Sequence, residues 1–174
     1  GAPLAEMPAL MRRRLDPIGR AALQVAWWAQ GAMPTGPVVF ASRWGEIARS
    51  VELLRQLATG EDLSPTSFSL SVHNATSALY SIARGDTGNY TALSAGSETA
   101  HAALIEAVGL LAGGADAVLV VSVEAQLPEP YEVFRNAAEP LRAWAVLLEA
   151  GGAGDCLLDA LPVPAVAQEL PPDL

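Results

Sequence analysis

The sequence predicts an α/β sandwich, a mostly parallel sheet of five strands (or one strand short of five) flanked by helices. Three observations carry that expectation. Short apolar runs alternate along the chain with longer segments of helical periodicity. Residues 117–123, AVLVVSV, form a nearly continuous Val-rich run, the pattern of a strand covered by helices on both faces. Glycines at 31, 60, 85 and 113 stand where the helical segments end.

The elements follow in order. Asp16-Pro17 is a helix start, with Asp at the cap and Pro in the first turn. Ile18, Ala22, Val25 and Ala29 then share one helical face, and Gly31 ends the segment. Residues 38–41, after Gly-Pro, read as a strand. Ile47, Val51, Leu54 and Leu57 mark a second amphipathic helix, closed by Gly60. Residues 65–85 carry a third helical pattern with Leu79 and Ile82 on its apolar side. Residues 90–94 are a short strand. Ala100, Leu104, Val108 and Leu111 mark a fourth helix ended by Gly113-Gly114. The Val-rich strand follows, then strands at 143–148 and 155–161. Residues 1–162 read as one domain, and residues 163–174 as an extended, Pro-rich tail.

Composition narrows the function classes. The chain has 174 residues, 51% hydrophobic and 17% charged, with mean hydropathy +0.29. Such a chain has ample apolar surface to offset ordering entropy. Ten Arg and no Lys face nineteen acids, for a net charge of −9, which argues against non-specific nucleic-acid binding. One cysteine, Cys156, and two histidines, His73 and His101, rule out an intrachain disulfide framework and a His- or Cys-rich metal site. No cofactor is expected. The uncharged stretch between Arg20 and Arg43 is long enough to cross a membrane. Gly31, Pro34, Gly36 and Pro37 break it, so it reads as a buried helix, a turn and a buried strand. Residues 1–11 show no basic segment followed by an apolar run, so no secretory leader is expected and the cytoplasm is the default location.

The segment from Asn74 to Ala125 carries a more specific signal in the order of its motifs. A turn Gly85-Asp86-Thr87-Gly88-Asn89 leads into a strand ending Ser94-Ala95. A long helix follows from about Ser97, with His101 in it. Gly114-Ala115-Asp116-Ala117 opens the buried strand, which closes on Ser122-Val123-Glu124-Ala125. Arg14-Leu15-Asp16 before the first helix and Phe134-Arg135 before the strand ending Leu148-Glu149 add to the pattern. Together these resemble the N-terminal half of a β-ketoacyl synthase, of the thiolase-like superfamily. The resemblance implies a thiolase-like half and a body that dimerises through the strand before the nucleophile. That strand would be Asn89, Tyr90, Thr91, Ala92, Leu93 and Ser94.

The same resemblance exposes what is missing. The family places a Cys directly after Ser/Thr-Ala, at the start of the long helix. There, helix amides lower the thiol's pKa and form an oxyanion hole. Here that position is Gly96, which has no side chain to carry an acyl group. The family's two catalytic histidines belong to a second half, which these residues do not include. No strand is visible before Met11, where the family usually has one.

Several residues carry a functional reading beside a structural one. Ser97 and His101 are four apart and share a helix face, so a nucleophilic pair is conceivable. No orienting acid is apparent, and Glu98 is expected to point elsewhere. On the alternative reading Ser97 helps start the helix and His101 packs at an interface. Asn74, after His73, holds a loop. Asn74, Ser94, Ala95, Gly96, Ser97, Glu98 and His101 are thus the candidate acyl-pocket or site remnant. Arg12-Arg13-Arg14 would meet an acidic carrier protein, or else form a solvated cap. Trp27 and Trp28 cannot both face the core, since neighbours on a helix diverge by about 100°. Glu124, Glu129, Glu132 and Glu139 read as a solvated acidic segment.

The expected function is a non-catalytic, chain-length-factor-like subunit that pairs with a full-length β-ketoacyl synthase. The pathway class is fatty-acid, polyketide or aryl-polyene-type pigment synthesis, with an acyl carrier protein as a further partner. The alternative is a stand-alone acyl-binding or scaffolding homodimer. A third reading is an enzyme acting through Ser97 or Cys156.

Overall fold

The structure is a computed structural model that describes residues 4–32, 36–135 and 140–151. A one-turn helix, α1 (Ala9–Arg12), precedes the first long helix, α2 (Pro17–Gln30). Asp16 caps α2 as the sequence predicts: its side chain accepts a hydrogen bond from the Gly19 amide at 2.8 Å. Gly31, with φ of +53°, ends the helix.

Strand β1 (Val38–Ala41) follows, then helices α3 (Ile47–Thr59), α4 (Pro65–Ser69) and α5 (Ala75–Arg84). Strand β2 (Tyr90–Leu93) leads through a 3-10 turn (Gly96–Glu98) into α6 (Thr99–Ala112). Strands β3 (Ala117–Glu124) and β4 (Arg142–Glu149) complete the fold. The sheet order is β2-β1-β3-β4. β1 runs parallel to both β2 and β3, and β4 is antiparallel to β3. Among the described residues the sheet is therefore one strand short of five. The strand expected at 155–161, Cys156 and the Pro-rich tail lie outside the described residues.

Side-chain alternation on the central strands sorts the core into two halves. On one face Val38, Phe40, Leu119, Val121 and Val123 pack with Ala22, Leu23 and Ala26 of α2 and with Leu79 and Tyr80 of α5. On the other, Val39, Ala41, Val118 and Val120 pack against Ala103 and Ala107 of α6. Each fully buried Val contributes roughly 1.5–3 kcal/mol relative to exposure. β1 and the inner residues of β3 are buried on both faces, as the Val-rich run predicts.

Three apolar stripes fall differently from expectation. On α3 the buried residues are Val51 and Leu53, while Leu54 and Leu57 are exposed, because this helix packs on α4 rather than on the sheet. The third helical pattern splits into α4 and α5. Ser64 caps α4, and Ile82 of α5 faces solvent while Leu79 is buried. On α6 the buried face is Thr99, Ala103 and Ala107, and Val108 is exposed. Leu104 and Leu111 of the expected stripe pack half-buried against the same cluster, at the flank of the alanines.

The turn before β2 is built to hold that strand in place. Asp86 is buried; one of its oxygens accepts from the Gly88 amide at 2.7 Å and the other from the Tyr90 hydroxyl at 2.8 Å. Gly88 lies against the Gly36 carbonyl, where a Cβ would come within 3.0 Å of the oxygen. The Asn89 and Leu93 carbonyls accept from the Val38 and Ser42 amides. In a parallel ladder these alternate residues face the neighbouring strand. The main-chain groups of Tyr90 and Ala92 therefore point away from β1, to an edge that no strand among the described residues covers.

Candidate functional site

In an open α/β sheet, ligands bind beyond the carboxyl ends of the strands. Here that region holds a cleft of about 340 Å³. Arg43, just after β1, lines it together with Ser122 and Glu124 at the end of β3. Arg142 and Trp144 of β4 close one side, and Gly96, Ser97 and Thr99, where α6 begins, close the other.

The loop from β2 into α6 is held locally. Ser94 Oγ donates to the Arg43 carbonyl at 2.9 Å. Thr99 Oγ1 accepts from the Ala95 amide at 2.9 Å and donates to the Gly96 carbonyl at 2.8 Å. Thr99, not Ser97, thus ties the start of the helix. Gly96, at the position where the family nucleophile would stand, has φ of +59° and nothing within 4 Å of a would-be Cβ. A side chain there would have room but would adopt a conformation costing roughly 1–2 kcal/mol.

Ser97, Glu98 and His101 do meet, which corrects the expectation that Glu98 points elsewhere. The 3-10 turn delays the α-helix to Thr99 and swings Glu98 between the other two. Ser97 Oγ donates to Glu98 Oε1 at 3.3 Å, and Glu98 Oε2 lies 3.8 Å from His101 Nδ1. The order is wrong for nucleophilic catalysis. The imidazole must stand between hydroxyl and carboxylate to take the proton. Here the carboxylate stands in the middle, so the serine hydroxyl meets a carboxylate and not an imidazole. Neither histidine lines the cleft. His73 is held elsewhere, its Nε2 2.8 Å from the Ser42 carbonyl oxygen. It is this ring, rather than Asn74, that ties the loop before α5. Asn74 makes no side-chain cap and stands apart from the cleft.

Sequence reasoning missed Arg43, Ser122, Arg142 and Trp144. Only the sheet brings them together: Glu124 pairs with Arg142, and Ser122 with Trp144, across β3 and β4. The Arg43 amide donates to Glu124 Oε1, and its guanidinium lies 4.7 Å over the Trp44 ring.

A second polar cluster lies under the first turns of three helices. Glu46 at the start of α3 is buried; its Oε1 accepts from the Thr76 hydroxyl of α5 at 2.8 Å. The Asp16 carboxyl at the cap of α2 faces it. Burial, reinforced by hydrogen bonding to Asp16 and by its charge, pushes the Glu46 carboxyl from its ordinary 4.5 up to about 8. Arg49 opposes the shift only weakly, with Nε 3.9 Å from Glu46 Oε2. The folded protein holds this proton where the unfolded chain has released it, so stability falls as pH rises from 4.5 through about 8. The fall is expected to be on the order of a few kcal/mol. Denaturant melts across that range should show it in the native chain, and Glu46→Gln should flatten it. An unchanged slope in the variant contradicts the assignment.

Among the described residues no three His, Cys, Asp or Glu side chains come together to hold a metal ion. None of the described helices is long and apolar enough to cross a membrane.

A parallel sheet with one antiparallel edge, helices on both faces and a helix opening beside the strand ends defines a thiolase-like half. The chain belongs to the β-ketoacyl synthase family, whose N-terminal domain model matches residues 1–171. Among solved structures it is similar to a chain in the complex of the ketosynthase ApeO with its chain length factor ApeC from Xenorhabdus doucetiae. There the identity is 31% and the TM-score 0.75, covering 84% of this chain and 63% of that one. It is also similar to the ishigamide ketosynthase/chain length factor, with 20% identity and TM-score 0.68, over 82% and 45% of the two chains. A β-ketoacyl synthase from Burkholderia phymatum STM815 aligns at 17% identity and TM-score 0.63, over 76% and 36%. The chain thus spans less than two thirds of the length of each of these proteins. No curated protein sequence matches it.

Proposed function

We propose that this chain is a non-catalytic, chain-length-factor-like subunit that pairs with a full-length β-ketoacyl synthase. The observation that carries the reading is the cleft where the family's nucleophile would stand. It holds Gly96 in place of a thiol, a serine hydrogen-bonded to a carboxylate, and no imidazole. A body of this family without that chemistry acts through an interface. The open edge of β2 supplies one, with the Tyr90 and Ala92 main-chain groups free to pair with a partner's strand. The similarity to a ketosynthase–chain length factor complex supports it. Fatty-acid, polyketide or aryl-polyene-type pigment synthesis is the pathway class, an acyl carrier protein brings the substrate to the pair, and the cytoplasm is the location.

Reconstitution tests the proposal. The chain alone is expected to release no condensation product from acyl and malonyl thioesters. Gly96→Cys is expected to release none either, since no imidazole reaches the cleft to serve the new thiol. Adding the chain to a synthase from the same source is expected to change the length of its products. Condensation by the chain alone, or a product distribution indifferent to it, contradicts the reading.

A further inference from the structure

Among the described residues the cleft beyond the strand ends holds neither a thiol nor an imidazole, yet it is built like a small-molecule site. At about 340 Å³ it falls in the size range of ligand pockets. Its floor is Ser122, a residue only 4% exposed. Strand alternation puts Ser122 on the same face of β3 as Val118 and Val120, under the start of α6. Its hydroxyl bonds to no described residue and opens toward the cleft. A buried hydroxyl without a partner costs free energy, so this one calls for a guest.

The walls define the guest. Antiparallel register sets Trp144 directly across from Ser122, and Arg142 directly across from Glu124, all on the α6 face of the sheet. Trp144 is 38% exposed and offers a flat apolar surface. Opposite it stand small residues, Gly96 and Ala100. Arg43 and Arg142 bring two guanidiniums against the one carboxylate of Glu124, an oxygen of which accepts from the Arg43 amide. Arg142 is exposed and has no ion pair among the described residues. Two cations and one anion leave a balance of one positive charge, in a protein of net charge −9. A monoanion matches that balance and a phosphate dianion exceeds it.

We propose that this cleft binds a free small acid, a monocarboxylate with a flat apolar body. The carboxylate accepts from the forked guanidinium of Arg142 and from the Ser122 hydroxyl, and the body lies against Trp144. Arginine's paired donors match a carboxylate, and the long stem of Arg142 spans the two residues that separate it from Ser122 along the sheet. The recognition uses the charge of the free acid, which a thioester lacks. It also goes beyond strand pairing at β2 and does not rest on it. Binding is read on the chain alone, so failure of either leaves the other standing.

Calorimetric titration of the chain at neutral pH tests it with benzoate, benzamide and inorganic phosphate. Benzamide keeps the shape of benzoate and removes the charge, and phosphate keeps a charge and removes the ring. Benzoate is expected to bind about tenfold more tightly than either. It should also shift the Trp144 indole N–H resonance of the native chain, a readout that needs no substitution in the cleft. Arg142→Gln should weaken benzoate about tenfold and Ser122→Ala about fivefold. Arg13→Gln, outside the cleft, should leave it unchanged. Thermal melts of each variant without ligand separate lost binding from lost folding. The proposal is overturned by an absence of benzoate binding or by an unmoved Trp144 resonance. Benzamide or phosphate binding as tightly as benzoate overturns it too, as does full benzoate affinity in Arg142→Gln or an equal loss in Arg13→Gln.

Discussion

Ala92→Pro is expected to abolish the complex with a full-length synthase while leaving the chain itself folded. The Asn89 and Leu93 carbonyls are engaged by β1, so the intervening Ala92 directs its own amide outward. Proline there deletes an outward donor and places a ring where a neighbouring strand would lie. Edge strands tolerate the substitution, since no bond to β1 is removed. Ala92→Val keeps the amide and should keep the complex. Pull-down of the synthase, read beside thermal melts of each variant, separates lost pairing from lost folding. Undiminished co-purification of Ala92→Pro would place the interface elsewhere.

Tyr80→Ala carries the largest expected cost to stability. The ring is fully buried between α5 and the sheet, edge-on to Trp27 at 4.8 Å and to Phe40 at 6.1 Å between centroids. Its hydroxyl donates to Gln30 Oε1 at 2.6 Å, and Gln30 is buried too. Removing the ring leaves a cavity and an orphaned amide, about 3–5 kcal/mol together. That is roughly 10 °C of melting temperature for a chain of this size. Tyr80→Phe keeps the ring contacts and loses only the hydrogen bond, for about 1–2 kcal/mol. Equal destabilisation by both would show that the bond to Gln30, rather than ring packing, dominates.

The order of layers was legible because its signals are local. Asp16-Pro17 carries its own cap and first turn, and residues 117–123 are apolar enough to demand cover on both faces. The expectation for Trp27 and Trp28 also holds, with Trp27 against Tyr80 and Trp28 exposed. Which stripe of a helix meets the sheet was not legible. Leu54, Leu57 and Val108 satisfy the same periodicity as buried residues, and only packing shows that α3 leaves the sheet and that α6 approaches it on alanines.

The site divides in the same way. Gly96 stands out in the sequence once the flanking motifs fix the nucleophile's position. The place of Glu98 between Ser97 and His101 does not, because it depends on where a 3-10 turn becomes an α-helix. Arg43 and Arg142 are ninety-nine positions apart and meet only through the register of β1, β3 and β4. Glu46 and Asp16 likewise come together only once the first turns of α2, α3 and α5 converge. No spacing rule in one dimension reports such meetings.

Native mass spectrometry of the chain co-expressed with a full-length β-ketoacyl synthase from the same source tests the central claim most directly. A heterodimer with one copy of each chain, lost on Ala92→Pro, is the predicted result. A homodimer or a monomer of this chain, with the synthase recovered only as its own dimer, would contradict it.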